Sequence, residues 1–282
     1  MVSRRRPKLG QHFLADLSFR RRILDALPLR RGELAIEIGP GRGAMTGLLA
    51  ERAGRVVAIE LDANLVETLR DVFQGERSIE AIQADILATD IAELCRERKA
   101  EACFVFGNIP YYITSPIIHH LFGFRAVIRG MALLVQREVA ERLTAQPGQR
   151  DYGYLTVLAR LYSAPRILLR LPPGAFSPPP KVESALVGFE MRPKFGDQLT
   201  GLRGTTGGGA STPNSERRFL SFVKACFAAK RKTLVNNLCG TYSRQAIEKQ
   251  LERRGLARSA RAEQVAVEEL AEVFSGLQRS TG

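Results

Sequence analysis

The chain has 282 residues, 45% of them hydrophobic, with 42 Lys and Arg against 29 Asp and Glu, a formal net charge of +13 and a pI near 10.1. That length suits one large domain plus a smaller one, and the excess of positive charge points to a polyanionic partner, nucleic acid ahead of anionic membrane. No apolar run reaches the roughly 18 residues of a spanning helix, the basic start has no apolar stretch behind it, and the four cysteines show no CxxC spacing. These features predict a cytoplasmic chain with free thiols, no membrane segment and no metal site.

Met1–Arg31 holds nine Lys and Arg against two Asp, and Arg4, Arg5, Arg6 and Lys8 form an arm suited to phosphate contact. Leu34-Ala35-Ile36-Glu37-Ile38 is a short apolar strand, followed by Gly39-Pro40-Gly41-Arg42-Gly43 and a helix over 44–52. Further strands are predicted over 55–60, 79–83 (ending at Asp85), 102–106 and 131–136, each followed by a helical segment. Strands separated by helices of this length imply an α/β fold with a parallel sheet covered on both faces. Residues 154–162 read as a helix, and 182–191 alternate as an antiparallel edge strand does. Gly201–Ser215 is rich in Gly, Thr and Ser, the composition of a linker. Helices are then predicted over 219–238, 243–254 and 267–277. The expected division is a first domain over 1–195, a linker over 196–215 and a small helical domain over 216–282. Arg192–Gly282 carries 16 Lys and Arg against eight Asp and Glu, and Lys224, Lys230, Arg231 and Lys232 are its candidate phosphate contacts.

Chemistry concentrates where the predicted strands end. Gly39, Gly41 and Gly43 let a ligand approach the backbone and the helix N-terminus behind it. Glu60 ends the second strand, 19 residues after Gly41, where a carboxylate can accept both hydroxyls of a ribose; Asp85 can accept from an adenine amine or cap the next helix. This edge fits a dinucleotide such as NAD as well as it fits S-adenosylmethionine. The tetrad Asn108-Ile109-Pro110-Tyr111 separates the two. The Asn108 side chain and the Ile109 carbonyl offer acceptors to an exocyclic amine, Pro110 stiffens the turn, and Tyr111 offers a stacking face. Phe176, in the loop Phe176-Ser177-Pro178-Pro179-Pro180-Lys181-Val182, would complete a sandwich around an extruded base. An NAD-dependent oxidoreductase leaves the tetrad, Phe176 and the basic tail without a role. A non-catalytic RNA-binding protein explains the charge but not the cofactor edge.

With these motifs in view, the chain resembles the small-subunit ribosomal RNA adenine N6-dimethyltransferases. The resemblance rests on LGQHFL (9–14), EIGPGRG (37–43), IELD (59–62), QADIL (83–87), GNIPYYITSPII (107–118), FSPPPKVESA (176–185) and a basic helix AAKRKTLVNNL (228–238), and covers nearly the whole chain. It implies a Rossmann-like S-adenosylmethionine-dependent methyltransferase domain with a small C-terminal all-helical domain. It also implies dimethylation of adjacent adenines near the 3′ end of small-subunit RNA during ribosome biogenesis, with the RNA itself or an immature small subunit as substrate; the default expectation for the chain is a monomer. His12 and Leu14 would close the cofactor site from the arm, with any contact at His12 made by its backbone, since some relatives carry Asn there. Gly39 would lie beneath the methionine part, Glu60 would hold the ribose, Asp85 the cofactor adenine and Asn108 the reacting end. The antibiotic-resistance methylases of large-subunit RNA share the tetrad and the Phe-Pro-Pro loop. GPGRG, LGQHFL and the Lys-Arg-Lys-Thr-Leu tail favour the small-subunit group.

Overall fold

The computed structural model describes residues 12–192 and 213–279, so the basic arm at Arg4, Arg5, Arg6 and Lys8 and most of the predicted linker lie outside the described residues. The chain forms two compact units. One comprises Met1–Ala140 with Pro165–Met191, the other Glu141–Ala164 with Arg192–Gly282.

The first unit is built on a seven-stranded sheet. In chain order its elements are β1 (Phe13–Leu14), α1 (Leu17–Ala26), β2 (Leu34–Ile38), α2 (Thr46–Ala53), β3 (Arg55–Glu60), α3 (Ala63–Val72), β4 (Ile79–Gln83), α4 (Ile91–Glu97), β5 (Cys103–Asn108), α5 (Thr114–Gly123) and β6 (Ile128–Gln136). The chain leaves the unit within α6 (Arg137–Thr144) and returns within β7 (Ser163–Leu171), which is followed by β8 (Phe176–Ser177) and β9 (Ser184–Met191). The sheet order is β4-β3-β2-β5-β6-β9-β7, with the first five strands parallel and β9 antiparallel to β6. The buried runs of β2, β5 and β6 are apolar because helices cover both faces of a parallel sheet. Asp16, Asp62 and Asp90 start α1, α3 and α4 by accepting from backbone N–H groups of the first turn.

Register sets the functional edge. Ile38 pairs with both Ile59 and Gly107, and Glu60 pairs with Gln83, so β2, β3, β4 and β5 finish side by side. The chain runs outward from β2 through β3 to β4, then returns to β5 on the other side of β2. In open α/β sheets that reversal opens a crevice at the carboxyl ends of the strands. Gly39 leaves one side of it and Asn108 ends the other.

Two strand expectations change. The segment predicted as an edge strand is interior, because β7 lies outside it; Ser184–Phe189 are all buried. β7 itself escaped prediction, because Arg166 and Arg170 break its apolar pattern.

The second unit contains α7 (Tyr154–Tyr162), α8 (Pro213–Cys226), α9 (Leu234–Leu238), α10 (Arg244–Glu252) and α11 (Val267–Arg279). Its core is aromatic: Phe274 packs 5.5 Å from Phe219 and 5.3 Å from Phe222, centroid to centroid, and Tyr242 packs 6.2 Å from Phe222. Tyr162 hydrogen-bonds Glu216, tying α7 to α8, so this helix belongs with the C-terminal helices rather than with 1–195. The single helix expected over 219–238, including its basic stretch from Ala228, is also corrected. It breaks after Cys226, and Lys230, Arg231 and Lys232 stand on a turn. Asn237 Nδ2 donates to the Cys226 and Ala229 carbonyls at 2.7 and 3.2 Å, while the Thr233 hydroxyl accepts from Asn236 N. Both helix ends at the break are thus satisfied by side chains.

Candidate active site

A cavity of about 840 Å³, mouth included, opens at the crevice between β2 and β5. The glycine loop shapes its base. Gly39 has φ +66°, donates its N–H to Ile59 O at 3.0 Å, and would place a Cβ 2.9 Å from the Asn108 carbonyl oxygen. Gly41, at φ +58°, would drive a Cβ to 2.7 Å from the Phe13 ring. Neither position admits a side chain without moving the wall of the cavity.

Three carboxylates give this edge its electrostatics. Glu60 is buried, yet both its oxygens are engaged: Oε2 accepts from Gly41 N at 3.2 Å, and Oε1 from Leu61 N and Asp62 N at 2.9 and 3.1 Å. Burial raises its pKa above the ordinary carboxylate range, against the opposing pull of those N–H groups. Asp85 lines the same cavity while its Oδ1 caps the following turn through Leu87 N at 2.9 Å, so capping and ligand contact are compatible roles for two oxygens. Glu37, which sequence reasoning passed over, is fully buried in β2 and accepts from Thr46 Oγ1 at 2.6 Å. Burial lifts it to about 7, with the nearby Glu60 charge adding to the shift. Its signal in the sequence was an acid inside an otherwise apolar strand.

Asn108 ends β5, and its Nδ2 donates to His12 O at 3.0 Å. That bond uses the donor end of the amide and leaves Oδ1 as its acceptor. His12 Nδ1 lies 2.7 Å from Pro178 O; a carbonyl only accepts, so this nitrogen carries the proton. The His12 ring stacks at 5.8 Å on Tyr111, whose hydroxyl shares a 2.7 Å hydrogen bond with Ser184 Oγ. The arm, the tetrad, the proline loop and β9 are thereby held together around one amide.

The cavity collects His12, Gly39, Gly41, Glu60, Asp85, Asn108, Ile109, Pro110 and Tyr111 from the sequence reading. Leu14 lines an adjoining cavity that shares Phe13, Gly39 and Asn108 with the first and also reaches Glu37, Arg20 and Arg42. Phe176 is the exception. It is 3% exposed and packs in the hydrophobic core, because β8 pairs with β1 and turns the ring inward. The expected sandwich of Phe176 with Tyr111 is therefore not formed. Tyr112 instead stands on the cavity wall, 65% exposed, the one exposed Phe or Tyr among the described residues. Of the candidate RNA contacts, Lys224 lies 5.5 Å over the Tyr154 ring and Lys230 Nζ donates to Arg150 O at 2.6 Å; Arg231 and Lys232 are exposed on their turn.

Residues 2–202 match the family model described as ribosomal RNA adenine dimethylase. The chain is 43% identical to ribosomal RNA small subunit methyltransferase A of Acidobacterium capsulatum, over 97% of this chain and 91% of that one. It is 38% identical to the protein of the same name from Koribacter versatilis, over 98% and 95%. Among solved structures, the 23S rRNA methyltransferase ErmE is similar at 27% identity and TM-score 0.70, covering 94% of this chain and 99% of that one. A dimethyladenosine transferase from Plasmodium falciparum shares the fold at 21% identity and TM-score 0.77, covering 96% and 98%. The chain belongs to the ribosomal RNA adenine dimethylase family, enzymes that take methyl groups from S-adenosylmethionine.

Proposed function

We propose that the chain dimethylates the N6 amines of adjacent adenines near the 3′ end of small-subunit ribosomal RNA, on an immature small subunit in the cytoplasm. The observation that carries this reading is Asn108: at the switch point of the sheet, its amide is pinned by His12 O with the acceptor oxygen left for an amine.

The residues present fit the cofactor. Gly39 and Gly41 form a cradle that a Cβ would fill, Glu60 and Asp85 line the same cavity and would hold the ribose and the adenine, and the second cavity extends past Gly39 towards Glu37. When bound, the cofactor supplies a methyl group already activated on a cationic sulfonium. The acids along this edge, Glu60 and Asp85, would favour a bound cation over its neutral product. The exocyclic nitrogen of adenine is a weak nucleophile because its lone pair is delocalised into the ring. Asn108 Oδ1 and the Ile109 carbonyl, by accepting its two N–H groups, favour a pyramidal nitrogen with the lone pair aimed at the methyl. Positioning and fixed dipoles then supply the acceleration, without a covalent enzyme intermediate. A strong base is unnecessary, since the methylated ammonium is acidic and loses its proton to water. Tyr111 borders the base, with Tyr112 beside it as a further stacking face.

Affinity for RNA comes from Lys and Arg contacts to phosphate and falls steeply with salt. The arm at Arg4, Arg5, Arg6 and Lys8 and the exposed Arg231 and Lys232 are the proposed contributors. The test is Asn108→Ala: turnover should fall far more than RNA affinity, and equal losses in both would remove Asn108 from the reacting centre.

A further inference from the structure

Two features fix the Tyr111 ring: its hydroxyl shares a 2.7 Å hydrogen bond with Ser184 Oγ, and its backbone forms the short helical turn that follows β5. The His12 ring lies stacked against it, with centroids 5.8 Å apart and an interplanar angle of 27°. Both rings are only partly buried, and both line the cavity that also holds Asn108 and Ile109. Phe176, the ring expected opposite Tyr111, is packed in the core, and His12 faces Tyr111 in its stead.

His12 is held at three points. Its carbonyl oxygen accepts from Asn108 Nδ2 at 3.0 Å, its Nδ1 donates to Pro178 O at 2.7 Å, and the next residue, Phe13, pairs with Ser177. Only the Pro178 bond depends on how the side chain is turned. A purine inserted between two rings needs two layers of about 3.5 Å, or about 7 Å between the outer rings, so the present gap would widen by about 1 Å. Rotation of the His12 side chain supplies that opening at the cost of one neutral hydrogen bond, while its carbonyl stays on Asn108. Stacking of a base on aromatic faces outweighs one such bond.

We infer that His12 is a substrate-binding residue, the second plate of the base clamp: the target adenine enters between the His12 and Tyr111 rings, with its amine towards Asn108 Oδ1 and Ile109 O. The inference rests on the proposed reading that the substrate is an adenine in RNA. His12 then has two separable roles. Its backbone orients the Asn108 amide, and its ring grips the base.

The experiment compares the full-length chain with His12→Ala, which removes the plate, and His12→Phe, which keeps a plate but loses the bond to Pro178 O. The substrate is a small-subunit RNA fragment from the 3′ end. His12→Ala should raise KM for RNA about tenfold, within the range that stacking of one base supplies, with a smaller effect on kcat. His12→Phe should keep KM within twofold of the parent chain. Affinity for S-adenosylmethionine by calorimetry should stay within twofold in both variants, because the backbone is retained. With 2-aminopurine at the target position, emission of the saturated complex should be quenched in the parent chain and in His12→Phe, and several-fold brighter in His12→Ala. An unchanged KM in His12→Ala would overturn the proposal. A lowered KM would also overturn it, since the ring would then only block Tyr111. Equal impairment of His12→Phe and His12→Ala would overturn it too, by assigning the effect to the Pro178 bond. Failure of the parent chain to methylate any RNA would instead reject the functional reading on which the inference rests.

Discussion

Gly39→Ala and Gly32→Ala form a matched pair that isolates what the glycine loop does. Both residues have positive φ, +66° and +85°, so an alanine at either costs about 1–2 kcal/mol in the left-handed region. They differ in what the new Cβ meets. At Gly32 there is nothing within 4 Å; at Gly39 the Asn108 carbonyl oxygen is 2.9 Å away and its carbon 3.8 Å away. That oxygen is backbone, so no rotamer relieves the contact, and either the loop or the end of β5 must give by a few tenths of an ångström. Gly32→Ala should therefore lower Tm by roughly 2–8 °C and leave methyl transfer intact. Gly39→Ala should lower Tm further and, because the displaced residue is Asn108, reduce cofactor affinity and kcat/KM by about tenfold or more. Thermal unfolding, calorimetric binding of S-adenosylmethionine and methyl transfer on the two variants provide the comparison. Equal Tm losses, with Gly39→Ala keeping cofactor affinity within twofold of Gly32→Ala, would refute the argument.

Glu37 makes stability depend on pH. The folded protein holds its proton up to about 7, while the unfolded chain releases it in the ordinary carboxylate range near 4.5, so stability falls as pH rises through that window and levels off above it, by about 3 kcal/mol at most. Glu37→Gln should flatten this fall and be relatively more stable at pH 8, with Glu60 leaving a residual slope of the same sign; denaturant unfolding from pH 4.5 to 8 is the check. Asn237→Ala strips the side-chain donor from the Cys226 and Ala229 carbonyls and should destabilise the helical unit by about 1–2 kcal/mol, read as a loss of hydrogen-exchange protection at the end of α8 and the start of α9. Tyr112→Ala should weaken binding of a small-subunit RNA fragment by about 1–3 kcal/mol, while Tyr112→Phe retains it; equal behaviour of the two variants would remove the stacking role.

The parallel half of the sheet was legible because burial on both faces forces continuous apolar runs such as 34–38 and 102–106, and the glycine loop and Glu60 follow from where those runs stop. Long-range pairing was not legible. β1 and β8 are two residues each, 162 positions apart from Leu14 to Phe176, and only their mutual pairing turns Phe176 into the core and away from Tyr111. The break between α8 and α9 depends on Asn237 reaching back to Cys226, 11 residues earlier, a side-chain bond that helical periodicity does not register. Glu37 was hidden for a similar reason, since its partner Thr46 sits nine residues on, across the glycine loop. Placement of α7 with the C-terminal helices likewise rests on a contact to Glu216, 54 residues away.

The most direct test of the central claim is transfer of label from S-adenosylmethionine to immature small ribosomal subunits, with large subunits in parallel, followed by nucleoside analysis. Dimethyladenosine confined to small-subunit RNA, and lost in Asn108→Ala, is the predicted result. Label in large-subunit RNA, or none in either despite measurable cofactor binding, would contradict it.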